Sequence, residues 1–396
     1  MRLAERLNSF SEPQTIKMAK LGRELKAKGI NIVDLSLGEP DFRTPDHICE
    51  AAIAAINAGY TKYTPVAGIP ELQEAISIKL KRDNNLDYAP NEIVVSTGAK
   101  QSLANAIHCL VDKGDEVLIP TPYWVTYADL ARLAGGEVKY LPCGIDTDFK
   151  LTPEQLEAAI SPNSRLFIFS SPCNPTGSVY TRDELAALAE VFKRHPQVTI
   201  ISDEIYEYIN FGSGHESIAQ FDGMKDRVVV INGMSKGFAM TGWRIGYMAA
   251  PRVLAQACDK LQAQFTSGTN AIAQRASVAA LLSDLGPTQK MVAAYRERRD
   301  HVINALRQMP GVKASMPGGA FYAFPDISSF FGKSYGEHVI NNDMDMSMYL
   351  LHEGHVSSVC GSAFGNGDCI RFSTATSMEN LHEAMTRVAM ALAKLS

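Results

Sequence analysis

Short apolar runs separated by amphipathic stretches fill the middle of the chain. Residues 93–96, 116–119, 166–170, 198–202 and 228–231 read as buried strands, with helical periodicity between most of them. This alternation predicts an α/β fold with a mostly parallel sheet wrapped by helices. One connection breaks the pattern. Only residues 232–243 separate the run at 228–231 from a further candidate at 244–248. That is too little for the helix-bearing crossover that parallel neighbours usually need. The strand at 244–248 is therefore expected to run antiparallel.

Beyond this region a long helical pattern at 289–309 stops at Pro310-Gly311, and the character of the chain changes. Strands are expected at 320–324 and 369–373, a helix near 344–352, and a final helix opened by a capping box of Thr376 and Glu379. At 396 residues the chain exceeds what one core usually holds. The reading is a large domain over residues 46–285 that carries the sheet. A smaller α+β domain is expected from residues 286–396, with the segment 1–45 packed on it.

Composition narrows the class. The net charge is −5, with no basic arm or patch, which argues against nucleic acid as a partner. No uncharged apolar run approaches membrane-spanning length, and the amino terminus lacks a continuous apolar stretch. The seven cysteines are scattered and odd in number, as suits free thiols in a cytoplasm. The nine histidines form no zinc-like spacing; His352 and His355 read as a helix end and its loop. No metal is expected.

The chemistry is concentrated at the expected carboxyl ends of the strands, where open α/β sheets bind ligands. After the run at 93–95 comes Ser96-Thr-Gly-Ala-Lys100, a glycine turn opening a helix and so a phosphate cradle. After 166–171 comes Pro172-Cys-Asn-Pro-Thr-Gly177, a rigid turn aiming Asn174. After 198–202 come Asp203, Glu204 and Tyr206. After 228–231 come fourteen residues, Gly-Met-Ser-Lys-Gly-Phe-Ala-Met-Thr-Gly-Trp-Arg-Ile-Gly, numbered 233–246. An amine at Lys236 beside a fixed guanidinium at Arg244 suits a carbonyl cofactor that carries a phosphate. The chain has neither a Walker motif nor Gly-x-Gly-x-x-Gly, so nucleotide cofactors are poorly supported.

This fourteen-residue segment resembles the cofactor-lysine signature of the class I aminotransferases, pyridoxal 5′-phosphate enzymes built on the scaffold called fold type I. The resemblance extends from Gly38, in Leu37-Gly-Glu-Pro-Asp-Phe42, to the last helix, and is nearest to the bacterial aspartate aminotransferase subgroup. It implies a ping-pong cycle through an aldimine at Lys236, with Asp203 paired to the protonated pyridine nitrogen. Asn174 and Tyr206 would hydrogen-bond the ring 3′-oxygen, and Trp124 would stack on the ring. Ser235 and Arg244, with the backbone of Gly98, Ala99 and Lys100, would hold the phosphate. Arg371 would clamp the substrate α-carboxylate beside Gly38, Trp124 and Asn174. Tyr63 would reach the phosphate in the neighbouring subunit of a homodimer. Lys236, Asp203 and Tyr206 are thus the catalytic group, and the substrates an amino acid and a 2-oxo acid.

Aspartate with 2-oxoglutarate is the expected pair. A distal carboxylate needs a second cation, for which Lys100 and His108 are candidates without an assignment. Aromatic or neutral amino acids, or a lyase reaction on the same fold, remain alternatives. Gly233 departs from the many relatives that place Ser or Thr there as an added phosphate contact.

Overall fold

The computed structural model describes residues 2–4, 7, 14–212 and 214–396. The expected packing of the first 45 residues falls partly outside these. Twelve helices are present among the described residues: α1 Gln14–Ala27, α2 Asp46–Asn57, α3 Pro70–Asn84, α4 Ala99–Leu110, α5 Thr126–Ala134, α6 Pro153–Ala159, α7 Arg182–Arg194, α8 Arg252–Phe265, α9 Ala271–Leu282, α10 Gly286–Arg307, α11 Asp343–His352 and α12 Met378–Leu392.

A seven-stranded sheet lies at the centre. Its strands are β1 Ile93–Ser96, β2 Glu116–Thr121, β3 Glu137–Pro142, β4 Ser164–Ser170, β5 Thr199–Asp203, β6 Val228–Gly233 and β7 Gly246–Ala249. The spatial order is β1-β7-β6-β5-β4-β2-β3. β3, β2, β4, β5 and β6 are mutually parallel, whereas β7 runs antiparallel to both β6 and β1. The antiparallel strand expected from the short 232–243 connection is therefore present, starting at Gly246 rather than residue 244.

Alternation along the strands divides the core into two layers. Val228 and Val230 join one apolar cluster with Phe167, Phe169, Ile200 and Tyr247. Val229 and Ile231 join the opposite one with Leu166, Ile168, Ile201 and Met248. Successive strand residues point to opposite faces, so a strand buried on both sides reads as a continuous apolar run. Helices supply the outer layers by burying one stripe each. In α7 the stripe is Leu185, Leu188, Ala189, Val191 and Phe192, behind a capping box of Thr181 and Glu184. Each such leucine contributes roughly 1.5–3 kcal/mol by leaving water.

A separate apolar cluster is built by Val302, Ile303 and Leu306 of α10, Tyr349 and Leu350 of α11, and Leu381, Met385 and Val388 of α12. It packs on a three-stranded antiparallel sheet of β8 Tyr322–Ala323, β9 Val359–Cys360 and β10 Ile370–Ser373, in the order β9-β10-β8. The chain's early part joins this region: Val33 and Asp34 pair in parallel with Val356 and Ser357. Met18 and Leu25 of α1 pack with Leu351.

Two expectations need correction. The final helix is capped by Ser377, whose side chain accepts from the Asn380 N–H, and not by a box of Thr376 and Glu379. Thr376 instead accepts a hydrogen bond from the Asn380 side chain. β3 was not expected, because its positions are mostly exposed or half-buried and give no apolar run. Among the described residues no helix is long and apolar enough to cross a membrane. All seven cysteines are free.

Candidate active site

The loops at the carboxyl ends of β4, β5 and β6 converge on a cavity of about 520 Å³, within the usual range for small-molecule sites. Its lining includes Gly38, Ala99, Lys100, Trp124, Asn174, Asp203, Tyr206, Ser235, Lys236, Arg244 and Arg371. Of the residues expected at the site, only two are missing from that lining. Gly98 lies one residue before it. Tyr63 is 99% exposed, on the loop between α2 and α3. Of the two candidate second cations, Lys100 lines the cavity and His108, two turns further along α4, does not.

The floor is set by backbone geometry. Gly98 has φ +82°, and a Cβ there would sit 2.2 Å from Nη2 of Arg244. Only glycine lets the guanidinium lie against this turn. No side chain caps α4, and its first residues, Ala99 and Lys100, open onto the cavity. A helix start and an arginine side by side form an anion site. Arg244 itself has φ +57° and donates from Nη1 to the Thr241 carbonyl at 3.0 Å. Gly233 faces Gly246 across the β6–β7 pair, where a Cβ would approach the Gly246 Cα to 2.8 Å. A serine or threonine at 233 would meet this backbone, so glycine suits the position.

Lys236 lines the cavity, half-buried. Its Nζ donates to the Gly38 carbonyl at 2.5 Å, between the rings of Tyr206 and Phe321. Burial lowers its pKa to about 8; Arg371 and Arg244 push the same way, while Glu39 and Asp203 oppose them. The amine is thus available in its neutral, nucleophilic form close to physiological pH.

Asp203 ends β5 and is 4% exposed. Its Oδ2 accepts from the Tyr127 hydroxyl at 2.6 Å and its Oδ1 from the Ile205 N–H at 3.3 Å. Burial raises its pKa to about 6 against the pull of those two donors. No cation pairs with it through a salt bridge among the described residues. A buried carboxylate in that condition suits a cationic ligand group.

Arg371 of β10 is 2% exposed and carries the other end of the cavity. Nη1 donates to Asn174 Oδ1 at 2.9 Å and Nη2 to the Ser36 carbonyl at 2.7 Å, while Nε has no partner. Burial lowers its pKa, yet an arginine stays charged. Trp124 stands edge-on to Tyr127, and the Lys100 ammonium lies 4.9 Å from the Trp124 ring centre. Burial, then Arg244, lowers the Lys100 pKa.

Several lining residues escaped the reading of the sequence, three of them with polar contacts at the site. Tyr127 holds Asp203, Tyr322 touches Tyr206, and Thr241 donates to Glu39 at the mouth. Behind the site Glu204, Glu207 and His215 bring their ligand atoms within 4.8 Å of one another. The Lys79 ammonium pairs with Glu207 there, so the cluster already holds an internal cation.

Residues 30–388 match the family described as aminotransferase class I and II. The chain is 48% identical over 400 residues to an aspartate/prephenate aminotransferase of Cereibacter sphaeroides, covering 100% of this chain and 99% of that one. It is 47% identical over 395 residues to a bifunctional aspartate and glutamate/aspartate-prephenate aminotransferase of Petunia hybrida, covering 98% and 82%. Among solved structures, the aspartate aminotransferase of Rhizobium meliloti superposes with a TM-score of 0.97 at 41% identity, over 100% of both chains. That of Thermus thermophilus, solved with maleate, gives 0.93 at 37% identity, over 99% and 100%. The chain is an aminotransferase of class I and II, with the fold-type-I architecture of its bacterial aspartate aminotransferase relatives.

Proposed function

We propose that this aminotransferase uses pyridoxal 5′-phosphate at Lys236 to move the amino group of aspartate to 2-oxoglutarate. The observation that carries the reading is the content of one cavity. An amine at Lys236 with its pKa lowered to about 8, a carboxylate at Asp203 without a salt bridge among the described residues, an anion cradle at Arg244 and two further cations, Arg371 and Lys100, all line it. The donor set fits the cofactor group by group. Asp203 suits a protonated ring nitrogen, Asn174 and Tyr206 a ring oxygen, and Arg244, Ser235 and the Gly98–Lys100 backbone a phosphate. Trp124 offers a ring face.

When bound, the cofactor supplies an electron sink for the carbanion formed at the substrate's Cα. The chain's own residues do the rest. Arg371 has an unused Nε beside its Nη groups and takes the α-carboxylate, which fixes the Cα–H bond relative to Lys236. Lys236 Nζ is the base that takes the Cα proton, a task its lowered pKa suits. Asp203 holds its negative charge in place through Tyr127 and Ile205. Lys100 is the cation nearest in kind to what a distal carboxylate needs, and its partial desolvation strengthens such a pair. The relatives named for prephenate as well as aspartate support testing prephenate as a second amino acceptor.

The reading extends to a homodimer in which Tyr63, 99% exposed here, reaches the neighbouring cavity. It also keeps the division into residues 46–285 and 1–45 with 286–396, supported by the separate apolar clusters, and a cytoplasmic setting, supported by seven free cysteines. Catalytic efficiencies with aspartate, tyrosine and alanine, each with 2-oxoglutarate, test the specificity. Aspartate should lead, and Lys100→Ala should lower efficiency for aspartate on the order of tenfold or more while sparing alanine. Equal efficiency for alanine and aspartate in the unaltered protein would refute the aspartate assignment.

A further inference from the structure

Tyr322 lies on β8 and pairs in register with Ser373, two residues beyond Arg371 on β10. It is 1% exposed, and its two ends meet different halves of the cavity. The hydroxyl is 2.7 Å from the hydroxyl of Tyr206. The ring lies 4.6 Å from the Arg371 guanidinium carbon. A tyrosine serving only as core filler needs neither contact: a phenylalanine would bury the same ring without requiring a buried partner for its oxygen.

We propose that Tyr322 is a positioning residue that couples the two halves of the site, its hydroxyl orienting Tyr206 and its ring face seating Arg371. The inference rests on the reading of Tyr206 as a donor to the cofactor's ring oxygen. A phenol has one proton. If Tyr206 directs its proton at that oxygen, its own oxygen must accept, so Tyr322 donates. Burial raises the pKa of both phenols, so both protons are present through the neutral range. Hydrogen bonds in series polarise one another, making Tyr206 a better donor than it would be alone. Arg371 gains a ring face that accepts its charge and restricts its swing, leaving Nε and the Nη edge directed at a carboxylate.

Two variants separate the two contacts. Tyr322→Phe removes only the hydroxyl, and Tyr322→Leu removes the ring face as well. The midpoint of the pH titration of the visible absorption band is measured on cofactor-loaded protein without substrate, and maleate binding on the same samples. Tyr322→Phe should raise the midpoint by on the order of half to one unit, the worth of one neutral hydrogen bond. It should leave maleate affinity within about twofold, since the ring face is kept. Tyr322→Leu should raise the midpoint similarly and weaken maleate by roughly tenfold. A Tyr322→Phe midpoint equal to that of the unaltered protein overturns the coupling while leaving the cofactor reading intact. Equal loss of maleate affinity in both variants overturns the role of the ring. An unaltered protein that shows no visible band overturns the cofactor reading itself and this inference with it. Tyr322→Phe changes one buried atom, so it decides the hydroxyl contact even if Tyr322→Leu fails to fold.

Discussion

Asp203 and Glu204 are consecutive buried carboxylates, and they sit in opposite electrostatic surroundings. Alternation turns Asp203, with Ile201, toward α5 and the cavity, and turns Glu204, with Ser202, to the other face. Burial raises the pKa of Asp203 to about 6, and the donors from Tyr127 and Ile205 recover only part of the loss. Burial also works against Glu204, but there the charge and hydrogen bond of His215, with Ser217 and Ser202, outweigh it and hold the carboxyl below its usual range. The Glu204 carboxylate is paired on both oxygens within the protein. Ser202, Ser217 and His215 lie 2.6–2.9 Å from its oxygens, and Lys79, Glu207 and Asn84 close a second set alongside. The cavity face is incomplete, with an unpaired carboxylate, an unpartnered guanidinium nitrogen and a partly deprotonated lysine. A site that must bind charge keeps its charges unsatisfied, and the satisfied face behind it provides the rigid support.

The largest difference between the faces should appear in turnover. Asp203→Asn should lower kcat on the order of 10³-fold or more, because it removes a preorganised charge from a buried reaction centre. Glu204→Gln, if folded, should stay within about tenfold of the unaltered protein, since Glu204 supports the site from behind. Steady-state kinetics with aspartate on both variants decides this. A Glu204→Gln loss as large as that of Asp203→Asn would erase the distinction.

Stability should divide the other way. Lys79→Met strands the buried Glu207 carboxylate and should cost ~3–5 kcal/mol in denaturant unfolding. Asp203→Asn should instead stabilise the cofactor-free protein. The folded carboxyl titrates at about 6 against an ordinary 3.8, so its ionisation opposes folding: the penalty is absent below 3.8, grows between the two values and is complete above 6. Removing it should add roughly 2–3 kcal/mol at pH 7 and nothing near pH 3.5.

The smallest effect concerns His215. Burial lowers its pKa, but the charge and hydrogen bond of Glu204 prevail and raise it overall from 6.5. Its contribution is complete below 6.5 and is lost as pH rises through the higher folded value. Glu204, lowered from 4.5, contributes above 4.5 and loses that contribution as pH falls through its lower folded value. The pair is therefore strongest between those limits. His215→Phe should remove the fall in stability that sets in above pH 6.5, as measured by unfolding at several pH values.

The sequence made the sheet legible where strands are buried on both faces, because β1, β4, β5 and β6 then appear as apolar runs between helical patterns. The edge strand β3 has no such signal. Lys236, Asp203, Asn174 and Arg244 were legible because chemistry at strand ends follows the chain order of the strands. Tyr127 was not: three residues after Trp124 on α5, it looks like core aromatic, and only the fold shows its hydroxyl 2.6 Å from Asp203. Tyr322 was hidden within an apolar stretch for the same reason. Which of Lys100 and His108 lines the cavity depends on the direction in which α4 faces, which local sequence does not record.

Lys236 is the proposed point of attachment of the cofactor. Protein loaded with pyridoxal 5′-phosphate and reduced with borohydride, then digested and mapped by mass, tests it in one step. The added mass should lie on the peptide containing Lys236 and disappear in Lys236→Ala. Label on a different lysine, or no label on the unaltered protein, would contradict it.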